Sequence, residues 1–183
     1  MTSELTAFGI TPARAHSSRF PFKVIAKINQ KPMLQYVWEN ALKAETLTGI
    51  LVATDNLEIA SVVKSFGGEA CITPEFPSGS DRAAFIAKDL NFDIIVNLQA
   101  DEPLLSFESI DALVSFLRIN LKIDIATLAV RCTLVSELED PNVVKVAISK
   151  SGEALFFSRK PIGVQSSGQF FKHVGIYAYR KEA

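Results

Sequence analysis

Apolar and polar positions follow two regular patterns up to residue 123. Short apolar runs bounded by turn residues predict β-strands, at residues 8–11, 49–54, 69–73 and 93–99. Apolar residues at helical spacing predict amphipathic helices between and after these runs, with apolar faces at residues 33–42, 59–66, 82–90 and 110–117. Asp55 is the predicted N-cap of the second of these helices. The order β-α-β-α-β-α-β-α predicts an α/β fold with a largely parallel sheet and helices on both faces.

The pattern changes after residue 123, where turns rather than helical stretches separate the apolar runs. These runs are "IATLAV", "NVVKVAIS", "ALFFSR" and "FFKHVGIYAYR". They predict a β-rich portion with mixed or antiparallel pairing. Since 183 residues suit one domain, we expect a single domain with an α/β part at 1–123 and a β-rich part at 124–183.

Composition and charge exclude several classes of protein. A formal net charge of -1 argues against a general nucleic-acid binder, which needs a broad basic surface. No apolar run approaches the roughly 20 residues that span a bilayer, and the first ten residues lack the basic start and apolar core of a secretion signal. Cys71 and Cys132 form no metal or redox motif. We therefore expect a cytoplasmic protein that binds neither nucleic acid nor membrane.

A basic loop, "ITPARAHSSRFPFK" at residues 10–23, follows the first predicted strand. It holds Arg14, Arg19 and Lys23 with no acidic residue between them. Two prolines stiffen the loop and keep its positive groups close together, which suits a polyphosphate. A solvated surface turn explains the charges equally well. Neither a Walker loop nor a GxGxxG fingerprint is present.

Two further loops leave predicted strand ends. In "NLQADEP", the carboxylates of Asp101 and Glu102 either precede the next helix or supply hard oxygen ligands to Mg²⁺. In "PSGSDR", Ser78 either caps a helix or helps to bind an anion or a base edge. Because ligands of open parallel sheets bind beyond the carboxyl ends of the strands, these loops and the basic loop together favour a nucleoside triphosphate site.

These stretches, in this order, resemble the bacterial 3-deoxy-manno-octulosonate cytidylyltransferases, or CMP-Kdo synthetases. The basic loop is similar to that family's PAR-x-x-S-x-R-x-P-G-K pattern. Further similar blocks are "VATD", "FGGEACIT", "SGSDR", "VNLQADEP", "ATLAV", "ALFFSRKPI" and "HVGIYAYR". The resemblance runs from Ile10 to Arg180. It implies a Rossmann-like nucleotidyltransferase fold, with a nucleotide-binding part at 1–123 and a sugar-binding and dimer-contact part at 124–183.

The resemblance also implies a reaction. CTP and Kdo give CMP-Kdo and pyrophosphate for lipopolysaccharide synthesis, with Mg²⁺ as cofactor and a homodimer as the assembly. Carried over residue by residue, Arg14, Ser18 and Lys23 hold the CTP phosphates, with Arg14 and Lys23 acting in catalysis. Ser78 and Arg82 help to fix the cytidine.

The remaining implied site residues concern the metal and the sugar. Asp101 is the implied magnesium ligand and the third catalytic residue. Gln99, Arg159, His173 and Tyr177 are the implied contacts to the acidic sugar. A phosphoryl-type transfer of this kind asks little covalent chemistry of the protein, so we expect no covalent enzyme intermediate.

Departures from the family pattern leave alternatives open. Phe22 stands where the family has a glycine before the loop lysine, and Ala100 stands where it has a glycine before Asp101. Family members also continue beyond the position of Ala183 with a second magnesium aspartate, so we expect a shortened chain. The alternatives are a non-catalytic homologue that binds nucleotide or a partner, and a cytidylyltransferase for amino-modified Kdo or sialic acid.

Overall fold

The computed structural model describes residues 4–15, 20–163 and 168–183. Its strands are β1 (Ala7–Ala13), β2 (Lys27–Ile28), β3 (Lys31–Pro32), β4 (Gly49–Thr54), β5 (Ala70–Ile72), β6 (Ile94–Asn97), β7 (Ile125–Cys132), β8 (Lys145–Ile148), β9 (Ala154–Ser158) and β10 (Phe170–Arg180). Its helices are α1 (Met33–Ala41), α2 (Leu57–Ser65), α3 (Gly79–Ala87), α4 (Phe107–Ile119) and the short α5 (Val135–Glu139). The chain divides into two compact units. Unit 1 holds the described residues up to Ala126 together with Ile176–Ala183, and unit 2 is Thr127–Gly175.

Unit 1 contains the predicted sheet. Its strand order is β5-β4-β1-β6, followed by the C-terminal part of β10. The first four strands are parallel, and β10 runs antiparallel to β6 with Tyr177 opposite Asn97. The predicted α/β fold with a largely parallel sheet is confirmed.

The core of unit 1 lies on both faces of this sheet. Ile10, Ala53 and Ile95 pack with Ala83 and Ile86 of α3 on one face. All four residues of β6 are buried, and successive side chains of a strand point to opposite faces, so the other face is covered too. There α4 contacts β6 and also packs against α1.

Two helix starts differ from the prediction. Asn56, rather than Asp55, caps α2, because its side chain accepts hydrogen bonds from the amides of Glu58 and Ile59. Helix α3 begins at Gly79 and ends at Ala87 instead of spanning residues 82–90, because Ser78 accepts a hydrogen bond from the Asp81 amide and starts the helix earlier. Asp55 is thereby left for another partner.

The basic loop continues into a feature that the apolar pattern does not predict. Strands β2 and β3 form a two-stranded hairpin whose turn residues, Asn29 and Gln30, both have positive φ. Each of these two strands has only two residues, which is too few for the alternation of apolar and polar residues that identifies a strand.

Leu42, predicted on the apolar face of α1, lies beyond the helix and is exposed.

Unit 2 is mainly β-structure, as expected. β8 pairs antiparallel with the start of β10 on one side and with β9 on the other, and β9 forms the sheet edge. The short helix α5 was not predicted, because five residues give no helical periodicity. Among the described residues, no helix is long and apolar enough to cross a membrane.

Candidate active site

A cavity of about 300 Å³ lies in unit 1. The carboxyl ends of β1 and β6, the turn before β2 and the start of α3 all contribute to it. Its lining residues are Pro12, Ala13, Arg14, Lys23, Val24, Phe76, Pro77, Ser78, Gly79, Arg82, Gln99, Ala100 and Asp101. The three loops that the sequence places beyond strand ends therefore meet in one cavity.

The basic loop and the acidic loop are in direct contact in this cavity. Lys23 Nζ donates a hydrogen bond to Asp101 Oδ2 at 2.9 Å, and both side chains are about half exposed. Arg14 lies at the end of β1 and lines the same cavity with an exposed side chain. Two predicted phosphate contacts and the predicted metal ligand thus share one site. Ser18 lies outside the described residues.

The backbone before Lys23 is tightly turned. Phe22 has φ 56° and ψ 21°, the left-handed conformation that favours glycine, and its amide donates a hydrogen bond to the Ala15 carbonyl at 2.9 Å. Phe22 is not among the described lining residues of the cavity. Ala100 lines the cavity and is buried, so its methyl group is accommodated in the turn before Asp101.

Arg82 is a buried cation at the cavity, with only 2% of its surface exposed. Its Nη2 pairs with Asp55 Oδ2, and its Nη1 donates a hydrogen bond to Thr73 Oγ1 at 2.9 Å. The Phe76 ring lies beneath the guanidinium, with its centroid 6.0 Å from Cζ. A charge this deeply buried is stable only when it is paired and hydrogen-bonded.

Ser78 acts as the cap of α3, one of the two roles that the sequence leaves open. Its Oγ accepts a hydrogen bond from the Asp81 amide at 3.1 Å and also lies 2.6 Å from Asp81 Oδ2. Gly79 follows it against Pro12, where a Cβ atom would lie 3.3 Å from the proline ring. This close approach brings the start of α3 to the end of β1. The capping role does not test a contact from Ser78 to cytidine, which stays a prediction.

The carboxylates of Asp101 and Glu102 suit a hard divalent cation. Burial raises the pKa of Glu102, and the neighbouring Asp101 charge raises it further. The described residues contain no group of three or more His, Cys, Asp or Glu side chains that could enclose a metal. Mg²⁺ keeps several waters and commonly takes one or two carboxylates together with substrate phosphates. Asp101 as a single carboxylate ligand therefore fits this ion.

The four predicted sugar contacts divide between the two units. In unit 1, Gln99 lines the cavity. Tyr177, also in unit 1, has a pKa raised mainly by burial and further by the neighbouring Tyr179. In unit 2, His173 Nε2 lies 2.9 Å from Thr127 Oγ1, and burial lowers its pKa. Arg159 Nη1, also in unit 2, donates to the Pro141 carbonyl at 3.0 Å. Their roles toward a sugar stay predictions.

Sequence reasoning missed three residues of this site. Asp55 was expected to cap α2, and neither Thr73 nor Phe76 was singled out, yet all three surround Arg82. A signal was available for the first two, since Asp55 and Thr73 directly follow β4 and β5. Neighbouring parallel strands bring such residues together at one sheet edge.

Comparison with protein families and known sequences assigns the chain. A cytidylyltransferase family model matches residues 8–183. The 3-deoxy-manno-octulosonate cytidylyltransferase of Syntrophobacter fumaroxidans is 43% identical over 180 residues, which cover 93% of this chain and 72% of that protein. The protein of the same name from Solibacter usitatus is 42% identical, over 95% of this chain and 71% of that protein.

Solved structures agree with the sequence matches. A CMP:2-keto-3-deoxy-manno-octonic acid synthetase complexed with CTP superposes with a TM-score of 0.89 at 36% identity, over 97% of this chain and 75% of that one. A 4-diphosphocytidyl-2C-methyl-D-erythritol synthase from Anaerococcus prevotii shares the fold at 13% identity, with a TM-score of 0.60 over 98% of this chain and 71% of that one. Since the family model, the relatives and the CTP complex all point the same way, the chain belongs to the 3-deoxy-manno-octulosonate cytidylyltransferase family.

Proposed function

We propose that this protein transfers CMP from CTP to Kdo and releases pyrophosphate, supplying CMP-Kdo for lipopolysaccharide synthesis. The observation that carries the proposal is the cavity of unit 1, where two cations, a buried arginine and a carboxylate converge. Family membership indicates which substrates this cavity binds, because the named relatives are 3-deoxy-manno-octulosonate cytidylyltransferases.

Different residues of the cavity are proposed to bind different parts of CTP. Arg14 and Lys23 bind the triphosphate, because a cationic pair on a stiff loop matches its charge. Arg82 and Ser78, which line the same cavity, hold the cytidine. Ser18 completes the phosphate contacts in this proposal.

Magnesium is the proposed cofactor, with Asp101 as its protein ligand. When bound, the ion supplies a Lewis acid for the phosphate oxygens. The Lys23 ammonium already lies against Asp101, so the site is arranged to hold a positive charge beside this carboxylate. Binding of CTP offers Lys23 an alternative anionic partner, which frees Asp101 to ligate the metal.

The chemical step is an in-line displacement at the α-phosphorus. A hydroxyl oxygen of the sugar acid forms the new O–P bond and its proton passes to solvent water, while the bond from the α-phosphorus to the bridging oxygen breaks and pyrophosphate leaves. Arg14 and Lys23 stabilise the charge that develops on the departing pyrophosphate. The protein otherwise contributes positioning, and no bond between protein and nucleotide forms.

Contacts to the sugar acid are proposed residue by residue from the family resemblance, for Gln99 and Tyr177 in unit 1 and for Arg159 and His173 in unit 2. The guanidinium of Arg159 pairs with the carboxylate of the sugar acid, since arginine matches that group with two parallel hydrogen bonds. Gln99, His173 and Tyr177 contact its hydroxyls. Burial lowers the pKa of His173, so its ring is neutral near pH 7 and serves as a hydrogen-bonding group rather than a cation.

A homodimer is proposed as the assembly, with β9 in the contact. This edge strand exposes Leu155, Phe156 and Phe157, by 63%, 53% and 45%. An exposed apolar edge strand favours pairing with another chain, and a second copy is the partner that family resemblance implies.

The cytoplasm is the proposed location, in keeping with the free thiols of Cys71 and Cys132.

A pyrophosphate-release assay with CTP, Mg²⁺ and Kdo tests the proposal, with the sugar nucleotide identified by mass spectrometry. We expect release that depends on all three components, together with a product of the mass of CMP-Kdo. CTP binding without release would identify a non-catalytic homologue. Turnover with sialic acid or amino-modified Kdo, but not with Kdo, would assign a related sugar acid instead.

A further inference from the structure

Arg82 is held in one orientation by two protein side chains, those of Asp55 and Thr73. Its two terminal nitrogens are engaged separately, Nη2 by the Asp55 carboxylate and Nη1 by the Thr73 hydroxyl. The Thr73 hydroxyl donates its own proton to the Pro74 carbonyl at 3.0 Å, so it presents a lone pair to the guanidinium. The arginine is therefore fixed at both ends of its fork.

The sheet itself places the two anchoring residues. β4 and β5 are parallel with Thr54 opposite Ile72, so the next residues along each strand, Asp55 and Thr73, emerge side by side. The Thr73 amide also donates to the Thr54 carbonyl at 2.8 Å, which continues the pairing to the strand end. Rigid strand ends hold a functional group more accurately than a free loop does.

The anchored guanidinium retains hydrogen-bonding capacity toward the cavity. An arginine side chain has five N–H donors, and those outside the bonds to Asp55 and Thr73 have no partner among the described residues. Arg82 lines the cavity beside Phe76 and Ser78. Its donors are therefore directed by the protein before any ligand arrives.

We propose that Asp55 and Thr73 are positioning residues that make Arg82 select cytosine over uracil. The inference rests on the proposed function, in which this cavity binds CTP. The N3 and O2 atoms of cytosine are two adjacent acceptors, which a fixed guanidinium satisfies together. Uracil carries an N3–H donor at the same place, so a fixed donor faces another donor and the pair is rejected.

The role of the anchors is to keep the guanidinium from adapting. An arginine without them can turn and donate to the O2 or O4 carbonyl of uracil instead, so discrimination falls even where binding survives. The Arg82 guanidinium meets a full negative charge at Asp55 and only an uncharged hydroxyl oxygen at Thr73, and a hydrogen bond between two opposite charges is the stronger kind. Asp55 should therefore contribute more to selectivity than Thr73.

Equilibrium binding of CTP and of UTP, measured by calorimetry on the full chain, tests the inference without requiring turnover. In Asp55→Asn we expect the CTP-over-UTP affinity ratio to fall about tenfold, as loss of a charged hydrogen bond predicts, and in Thr73→Val about fivefold. Asp111→Asn is the matched control. Its carboxylate binds the Thr46 amide and hydroxyl at 2.9 and 2.6 Å, away from the cavity, so that ratio should stay at the wild-type value.

The outcomes separate this inference from the proposed function. A wild-type protein that prefers CTP but releases no pyrophosphate removes the activity and leaves the selectivity measurement intact. An unchanged ratio in folded Asp55→Asn and Thr73→Val overturns the inference, as does a wild-type protein that binds CTP no better than UTP. If Asp55→Asn does not fold, because Arg82 is left buried without its counter-ion, the nearly isosteric Thr73→Val decides alone.

Discussion

Lys23 Nζ lies 2.9 Å from Asp101 Oδ2, so a cation from the basic loop and a carboxylate from the end of β6 touch across the cavity of unit 1. The two residues are 78 positions apart in sequence. The contact explains how the basic loop tolerates its positive charge, because an anionic group already neutralises part of it. It also couples the phosphate-binding and metal-binding roles proposed for the two residues.

Asp101→Asn should reduce turnover by at least about a hundredfold, because the variant loses the charge that holds the metal and keeps the side-chain shape. Pyrophosphate release measures the effect, and the midpoint of thermal unfolding should remain near that of the wild type. Glu102→Gln is the adjacent control and should retain more activity, since Glu102 is not among the described cavity-lining residues. Equal losses in both variants would remove the special role of Asp101.

Lys23→Met should strengthen metal binding in the absence of nucleotide by about two- to fivefold, the range of an exposed ion pair. The reason is that the ammonium no longer competes for the Asp101 carboxylate. Mn²⁺ binding followed by electron paramagnetic resonance gives the affinity, and CTP affinity should fall in the same variant. Lys27→Met, which removes an exposed lysine of β2, controls for net charge. Metal affinity unchanged by Lys23→Met would contradict the competition.

Phe22→Gly should be more stable than Phe22→Ala by about 1 kcal/mol, since the left-handed conformation is costly for any residue with a Cβ. Both variants remove the phenyl ring, so the comparison isolates the backbone effect of φ 56°. Urea unfolding at equilibrium provides the two free energies. Equal stability, or a more stable alanine variant, would show that this turn does not require the left-handed conformation.

His173 should titrate below its ordinary pKa of 6.5, because burial disfavours the imidazolium form. The unfolded chain then binds the proton more readily than the folded chain, so the free energy of unfolding rises with pH between the lowered pKa and 6.5. The contribution of His173 to the free energy of unfolding is fully present above pH 6.5 and is lost as the pH falls from 6.5 through the lowered pKa. Proton NMR titration measures the pKa directly, and His16→Gln assigns the signal, since the chain has two histidines.

A pKa of His173 at or above 6.5 would contradict this account. The variant His173→Gln should lose that part of the pH dependence, because glutamine does not titrate. Urea unfolding at several pH values therefore gives a second, independent check.

Phe156→Lys should shift the protein from dimer to monomer, because a charge on an apolar edge strand opposes pairing. Analytical ultracentrifugation over a range of concentrations measures the state of assembly. Leu104→Lys is the control, since Leu104 is also exposed but lies outside β9. A wild-type protein that is monomeric at all concentrations would refute the proposed dimer, and a Phe156→Lys variant that remains dimeric would place the contact elsewhere.

The sequence alone determined the order of the longer strands and helices of unit 1, without the β2–β3 hairpin, and the three loops that form the site. Both follow from local rules, since apolar runs predict buried strands and the carboxyl ends of parallel strands share one edge. Arg14, Lys23 and Asp101 could be placed together on that basis, before any distance was known. Resemblance to the family then supplied substrates that spacing leaves open.

Tertiary structure decided which partner each polar side chain takes. Asp55 could cap α2 or pair with a distant group, and only the register of β4 and β5 with the start of α3 brings it to Arg82. The left-handed conformation of Phe22, whose amide donates a hydrogen bond to the Ala15 carbonyl, likewise opposes the residue's own preference. Such contacts depend on distances between segments far apart in the chain, and the pattern of apolar and polar positions indicates which sheet edge a residue reaches but not which partner it takes there.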